Sequence, residues 1–297
     1  MTPSSRRFTR RPTLRHLAGP VLLTGLLAAA LPASAMEGSA KQLVGLINDY
    51  RSSEQTCAGS STPAAGPLAP DDRLAAAASG AGNDMLDRLK ANGYQAERVQ
   101  LIEVGGPPDA ESTMRVLAQN YCRALSNSRH AEIGVSQQGK RWRIVFARPL
   151  LAPDLADWPQ AGRQILDLVN DARSKPRRCG DERLQQAPPL RWDGKLAKAA
   201  LGHSRQMADD NFFSHSGKKG GKVSDRAEAA GYSWRRVGEN IASGQGSTDA
   251  VVAAWLASPG HCANIMNPRF TEMGAAYAVN PTSDTTIYWT QVFGTPR

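Results

Sequence analysis

The chain has 297 residues, of which 41% are hydrophobic and 21% charged, and its formal net charge is +9. This composition excludes collagen-like, coiled-coil and wholly disordered chains, and the presence of only one long apolar run excludes a multi-span membrane protein. The length suits one large domain or two of about 130 residues.

The apolar run comes first. Arg6, Arg7, Arg10, Arg11 and Arg15 precede it with no acid among them, Leu17 to Leu31 form it, and Ala33-Ser34-Ala35 closes it. That order predicts a cleaved export signal over residues 1–35, too short for a membrane span. Arg10-Arg11-Pro12 matches a twin-arginine signal poorly, so the export route stays open. The mature chain is expected outside the cell or in the periplasm, with no membrane-spanning segment. Five of the nine net charges leave with the signal, so +4 remains. No basic stripe interleaved with aromatics points to nucleic acid.

The elements that follow come twice. An amphipathic helix carries Leu43, Leu46, Ile47 and Tyr50, and a second carries Ile165, Leu168 and Val169. Ala-rich helices are predicted near 71–88 and 193–210, and further helices near 110–125 and 247–257. Paired strands close each half, at 131–136 with 141–147 and at 272–279 with 285–293. A linker with three prolines, Pro149 to Pro159, separates the halves, giving expected domains at 36–150 and 157–297. Helices early and strands late indicate an α+β fold.

The repetition extends to residue identity. Leu46-Ile47-Asn48-Asp49-Tyr50-Arg51-Ser52 returns as Leu168-Val169-Asn170-Asp171-Ala172-Arg173-Ser174, an offset of 122 from Asn48 to Asn170. Leu74/Leu196 and Met85/Met207 keep that offset. Gly93-Tyr94 against Gly231-Tyr232 raises it to 138, and Glu132-Ile133-Gly134 against Glu272-Met273-Gly274 to 140. The four cysteines fall in step, and an even count in an exported chain predicts disulfides. Of three pairings the repeat favours Cys57–Cys122 and Cys179–Cys262, each worth roughly 4 kcal/mol in the chain-entropy model.

The second copy carries 16 residues that the first lacks, around Asn211 to Gly221 with His215. Glu239 stands where the first copy has Leu101, and His261 where it has Tyr121. Each has a plainer reading when taken singly: a solvated loop histidine, a helix or turn cap, a ring packed beside a disulfide. Together they offer two imidazoles and a carboxylate, a set suited to Zn²⁺ with an open fourth position, with His215 and His261 as the metal-binding pair. The same trio could hold a ligand by hydrogen bonds, with Glu239 orienting one ring. His203 shares one helical face with Leu196, Ala200 and Met207 and reads as a core histidine or one standing behind the site. There is no G-x-S-x-G, H-E-x-x-H or phosphate-loop pattern, and Ser216-Gly217-Lys218-Lys219 lacks the partner motifs of S-x-x-K enzymes. Oxidised cysteines leave no thiol nucleophile.

Phe213-Ser214-His215-Ser216, Gly238-Glu239-Asn240-Ile241-Ala242, Ser258-Pro259-Gly260-His261-Cys262-Ala263-Asn264-Ile265-Met266 and Tyr288-Trp289-Thr290-Gln291-Val292-Phe293-Gly294 occur in one order across 157–297. In these stretches the second copy resembles the bacterial branch of the CAP superfamily of cysteine-rich secretory, venom antigen and plant pathogenesis-related proteins. The first copy resembles it only through the repeat, as a degenerate partner. The resemblance implies an α-β-α sandwich with a cleft of His and Glu residues. His215 and Glu239 match the first His and first Glu of the animal tetrad. Ser258 or a neighbour holds the second Glu position, Tyr288 the later His, and His261 supplies an imidazole as in bacterial relatives. The expected function is binding of an extracellular or envelope ligand (lipid, glycan or peptide) through His215, Glu239 and His261, with Zn²⁺ as the one candidate cofactor. The alternatives are a hydrolase using a Glu239- or zinc-activated water and a disulfide-stabilised structural spacer.

Overall fold

The computed structural model describes residue 1, residues 33–80 and residues 84–297. The expected export signal therefore lies outside the described residues, except for residue 1 and positions 33–35, which form the first turn of a helix.

The N-terminal half contains α1 (Ala33–Arg51), the short pair β1 (Gln55–Cys57) and β2 (Ser60–Thr62), β3 (Ala69–Pro70), α2 (Asp72–Ser79), α3 (Met85–Ala91), β4 (Ala96–Gly105), α4 (Ala110–Asn120), α5 (Cys122–Leu125), β5 (Glu132–Gln138) and β6 (Arg141–Pro149). The C-terminal half follows the same order: α6 (Trp158–Arg173), β7 (Arg177–Cys179), β8 (Glu182–Leu184), β9 (Arg191–Trp192), α7 (Gly194–Asp209), α8 (Val223–Ala229), β10 (Trp234–Ser243), α9 (Thr248–Leu256), α10 (Pro259–Met266), β11 (Glu272–Val279) and β12 (Ile287–Pro296). Each half builds one four-stranded sheet, in the orders β3-β5-β6-β4 and β9-β11-β12-β10. The three longer strands of each sheet pair antiparallel, and the two-residue strand joins parallel.

The fold is an α-β-α sandwich, and the period-two alternation of a strand shows why. On β11, Met273 and Ala275 pack into a core with Ile165 and Val169 of α6 and with Trp255 of α9. Ala276, the next residue and so on the opposite face, packs with Leu196 and Ala200 of α7. Gly274 lies against the α7 backbone, where a Cβ would overlap Ala197, and Gly134 lies against α2 at Ala75 in the same way. Only glycine permits so close a helix–sheet contact.

The repeated Asn and Arg have matching roles. Asn48 exchanges two hydrogen bonds with the Leu68 backbone, and Asn170 likewise accepts from the Leu190 N–H and donates to its carbonyl. Arg51 is fully buried and donates to the carbonyls of Gly66, Leu125, Asn127 and His130. Arg173 donates to those of Pro188, Ile265, Asn267 and Phe270, the corresponding positions. Each guanidinium thus ties its first helix to the segment after the second cysteine. The disulfides are Cys57–Cys122 and Cys179–Cys262.

Three expectations need correction. The helix expected at 71–88 is two, α2 and α3, and that at 110–125 is also two, α4 and α5. Strands β4 and β10 went unpredicted. Met85 begins α3, whose counterpart is α8, so its partner in the repeat is Val223 and the Met85/Met207 match is coincidental. The 16 additional residues therefore include the last two turns of α7, with His203, as well as the loop that carries His215.

The halves are joined within one compact unit, Ala33–Arg297. Gln245, fully buried in the C-terminal half, donates through Nε2 to the carbonyls of Pro67 at 2.7 Å and Ala131 at 3.2 Å. Asn48 reaches the Ala257 carbonyl at 3.3 Å, and Arg148 donates to the Asp284 carbonyl at 2.9 Å. Among the described residues no helix is long and apolar enough to cross a membrane.

Candidate functional site

The site grows from the end of α7. The helix is capped at its start by Asp193, which accepts from the Lys195 and Leu196 amides, and it ends at Asp209. Asn211, at φ 47°, reverses the chain in the left-handed region that asparagine tolerates. Phe212 and Phe213 then pack against a cluster with Met207, Ile241 and Tyr288. The returning chain is fastened to α7 by His203, whose Nε2–H donates to the Ser214 carbonyl at 2.9 Å. Its next residue but one is Ser216, and between them His215 points outward with 58% of its side chain exposed.

Across from the loop runs β10, the edge strand of its sheet. Neighbouring residues on a strand face opposite ways, so Glu239 and Asn240 serve different partners. The buried carboxylate of Glu239 accepts from His215 Nδ1 at 2.9 Å through Oε1 and from Arg226 Nη2 at 2.6 Å through Oε2. Arg226, on α8, also donates to the His215 carbonyl at 3.0 Å and the Gly221 carbonyl at 2.9 Å. One guanidinium thus holds the carboxylate and both ends of the loop. His203 Nε2 lies 4.0 Å from Glu239 Oε1, on the buried side of the pair. Burial holds the His203 imidazole below its usual pKa, so the ring is neutral at pH 7.

Asn240 turns toward α10. Its Nδ2 donates to the His261 carbonyl at 3.2 Å and to Gln291 Oε1 at 3.1 Å, while its Oδ1 accepts from Asn264 at 2.9 Å. His261 itself shares a 2.8 Å hydrogen bond between Nδ1 and Ser258 Oγ. Burial, with a smaller contribution from nearby His215, pushes the His261 pKa down to about 3. The structure brings His215 and Glu239 into direct contact. Among the described residues His261 hydrogen-bonds neither of them and is linked to His215 only electrostatically. Tyr288 is buried, and its hydroxyl donates to Asn211 Oδ1 at 3.1 Å, supporting the turn into the loop.

Chemically, the carboxylate accepts the Nδ1 proton and fixes one tautomer, leaving His215 Nε2 as an outward-facing acceptor. Each Glu239 oxygen already accepts one hydrogen bond and only 2% of the side chain is exposed, so the carboxylate faces its two partners and presents no open position to a metal or a water. Two imidazoles remain, one fewer than the three protein ligands of a catalytic zinc site. The trio does not fit that metal, and no step is derived through it. Among the described residues no group of three or more His, Cys, Asp or Glu side chains is arranged to hold a metal ion.

Arg226, Asn240 and Asn264 had no role assigned from the sequence. The two asparagines stand inside the motif stretches quoted above. Arg226 stands in a polar segment without a motif, and its one signal is the 138-residue offset that pairs it with Arg88.

Residues 166–293 match the family model of the cysteine-rich secretory protein family, CAP. The chain is similar to an uncharacterized protein of Bacillus subtilis (strain 168), YkwD, at 36% identity over 131 residues, covering 44% of this chain and 46% of that one. It is similar also to an uncharacterized membrane protein of that strain, YlbC, at 31% over 157 residues, covering 50% and 43%. The chain spans less than half the length of these curated relatives. Among solved structures it is similar to an extracellular protein containing a SCP domain from Bacillus anthracis str. Ames, with 29% identity, 52% of each chain covered and a TM-score of 0.39. A cysteine-rich secretory protein of Staphylococcus aureus subsp. aureus Mu50 shows 13% identity over 54% of this chain and 57% of that one, with a TM-score of 0.36.

Proposed function

We propose, from the match of residues 166–293 to the CAP family model, that the chain is exported by residues 1–35 and that residues 157–297 bind an extracellular or envelope ligand. Residues 36–150 are its degenerate sister copy. The matched sheet orders, the paired Asn48/Asn170 and Arg51/Arg173 clamps and the two internal disulfides support the duplication. The observation that carries the binding reading is the Glu239–His215 pair. A buried carboxylate orients an exposed ring, and the free Nε2 accepts a hydrogen bond from a ligand hydroxyl or amide.

The same free Nε2 favours one second reading, a hydrolase in which His215 removes a proton from water with Glu239 holding the imidazolium. The carboxylate would act through the ring, since it is buried behind an exposed imidazole.

The test follows the backbone amide resonances of residues 213–217 and of β10 while the oxidised protein is titrated with phosphatidylglycerol vesicles, N-acetylglucosamine oligomers and short peptides. Saturable shifts, abolished in His215→Ala and unaccompanied by products, are expected. Product formation that disappears in His215→Ala would replace binding with hydrolysis. No shift with any of the three classes would leave the spacer role.

A further inference from the structure

The N-terminal half carries a cavity of about 490 Å³ beside the Cys57–Cys122 disulfide. Its lining includes Gln100, Gln119, Asn120, Tyr121, Arg123 and Asn127. By the repeat, Gln100, Tyr121 and Asn127 correspond to Gly238, His261 and Asn267. The cavity therefore sits where the C-terminal half places β10 and the start of α10. The C-terminal half carries its additional loop across the Glu239 side of β10, and the first copy has no counterpart of that loop.

The lining also differs in chemistry. It contains no carboxylate and no imidazole, and Arg123 is its one cation. Among the described residues the side chains of Gln100, Gln119, Tyr121 and Arg123 make no hydrogen bond or ion pair. Amides that both donate and accept are matched by a ligand whose groups do the same, as hydroxyl and acetamido groups do. The ring of Tyr121 adds an apolar face with a polar edge. Groups of this kind bind and orient a ligand. A cation would find no counter-charge, and an extended anion only one.

We propose that this cavity is a second, non-catalytic binding site for a short uncharged glycan. The proposal is independent of the His215 site, because no residue is shared.

Calorimetric titration of the oxidised protein with N-acetylglucosamine trimer and tetramer, cellotetraose and mannotetraose tests it. Saturable binding to at least one is expected, weakened about tenfold or more by Gln100→Ala and by Tyr121→Leu, which keeps apolar packing against the core. Gln119→Ala, at an exposed position, gives a third measurement that folding cannot confound. The titration is repeated in His215→Ala, where binding should persist. The proposal is overturned if none of the four glycans binds, if the three cavity substitutions leave binding unchanged, or if His215→Ala abolishes it and so assigns the glycan to the other half.

Discussion

Arg226 and Glu239 form a buried ion pair, with Nη2 2.6 Å from Oε2 and only 14% and 2% of the two side chains exposed. Removing one partner of such a pair leaves an uncompensated charge. Arg226→Ala is expected to destabilise the protein by about 2–4 kcal/mol. Adding Glu239→Gln should restore part of the loss. Urea denaturation of the two single variants and the double variant measures the coupling, and strictly additive effects would show that the pair contributes nothing as a pair.

Arg173 supplies a planar fork to four carbonyls, and no ammonium can match that geometry. Arg173→Lys should therefore destabilise by about 3 kcal/mol or more through orphaned buried carbonyls. Arg51→Lys should do the same, and a loss below about 1 kcal/mol at either position would count against the clamp.

Glu132 is buried and accepts from the Tyr94 hydroxyl at 2.5 Å. Burial pushes its pKa up to about 7 from 4.5. The folded state then holds a proton that the unfolded state releases, so this contribution is complete below pH 4.5 and lost as pH rises through about 7. Glu132→Gln removes the titration. Relative to the parent it should gain stability between pH 4.5 and 7, by up to about 3 kcal/mol, as read from melts across that range.

His130 gives the opposite slope. It is buried, stacked on Phe146 at 5.3 Å, and its Nδ1 has no hydrogen-bond partner. Burial lowers its pKa to about 4 from 6.5, so its contribution is complete above pH 6.5 and lost as pH falls through about 4. The corresponding residue in the second half is Phe270, stacked on Phe293 at 5.2 Å. His130→Phe should therefore be tolerated and should flatten the acid side of the stability profile, which acid titration followed by circular dichroism would check.

Much of this was legible because the repeat preserved residues with strict geometric roles. Asn48 and Arg51 recur as Asn170 and Arg173 because their side chains replace missing backbone partners, and Gly134 recurs as Gly274 because a helix backbone occupies the space of its Cβ. Strands β4 and β10 were missed for a physical reason. Their outer halves are exposed, Arg235 and Arg236 break the alternation, and a register shift falls at Trp234/Arg236. The His215–Glu239 contact followed from motif residues. Arg226 did not, because its role depends on α8 folding back across β10, which neither spacing nor periodicity encodes. His261 illustrates the limit in the other direction: its residue type suggested a shared trio, yet its hydrogen bond goes to Ser258.

Gln245 has a consequence for any polymeric ligand. Its amide nitrogen is spent inside the neighbouring half, on the carbonyls of Pro67 and Ala131, so sliding one half over the other would strand three buried polar groups together. Those bonds accordingly hold the two halves at one spacing. A chain-like ligand with two recognised units at that spacing would gain from a high effective concentration at the second contact, whereas one whose repeat does not match would bind through a single half.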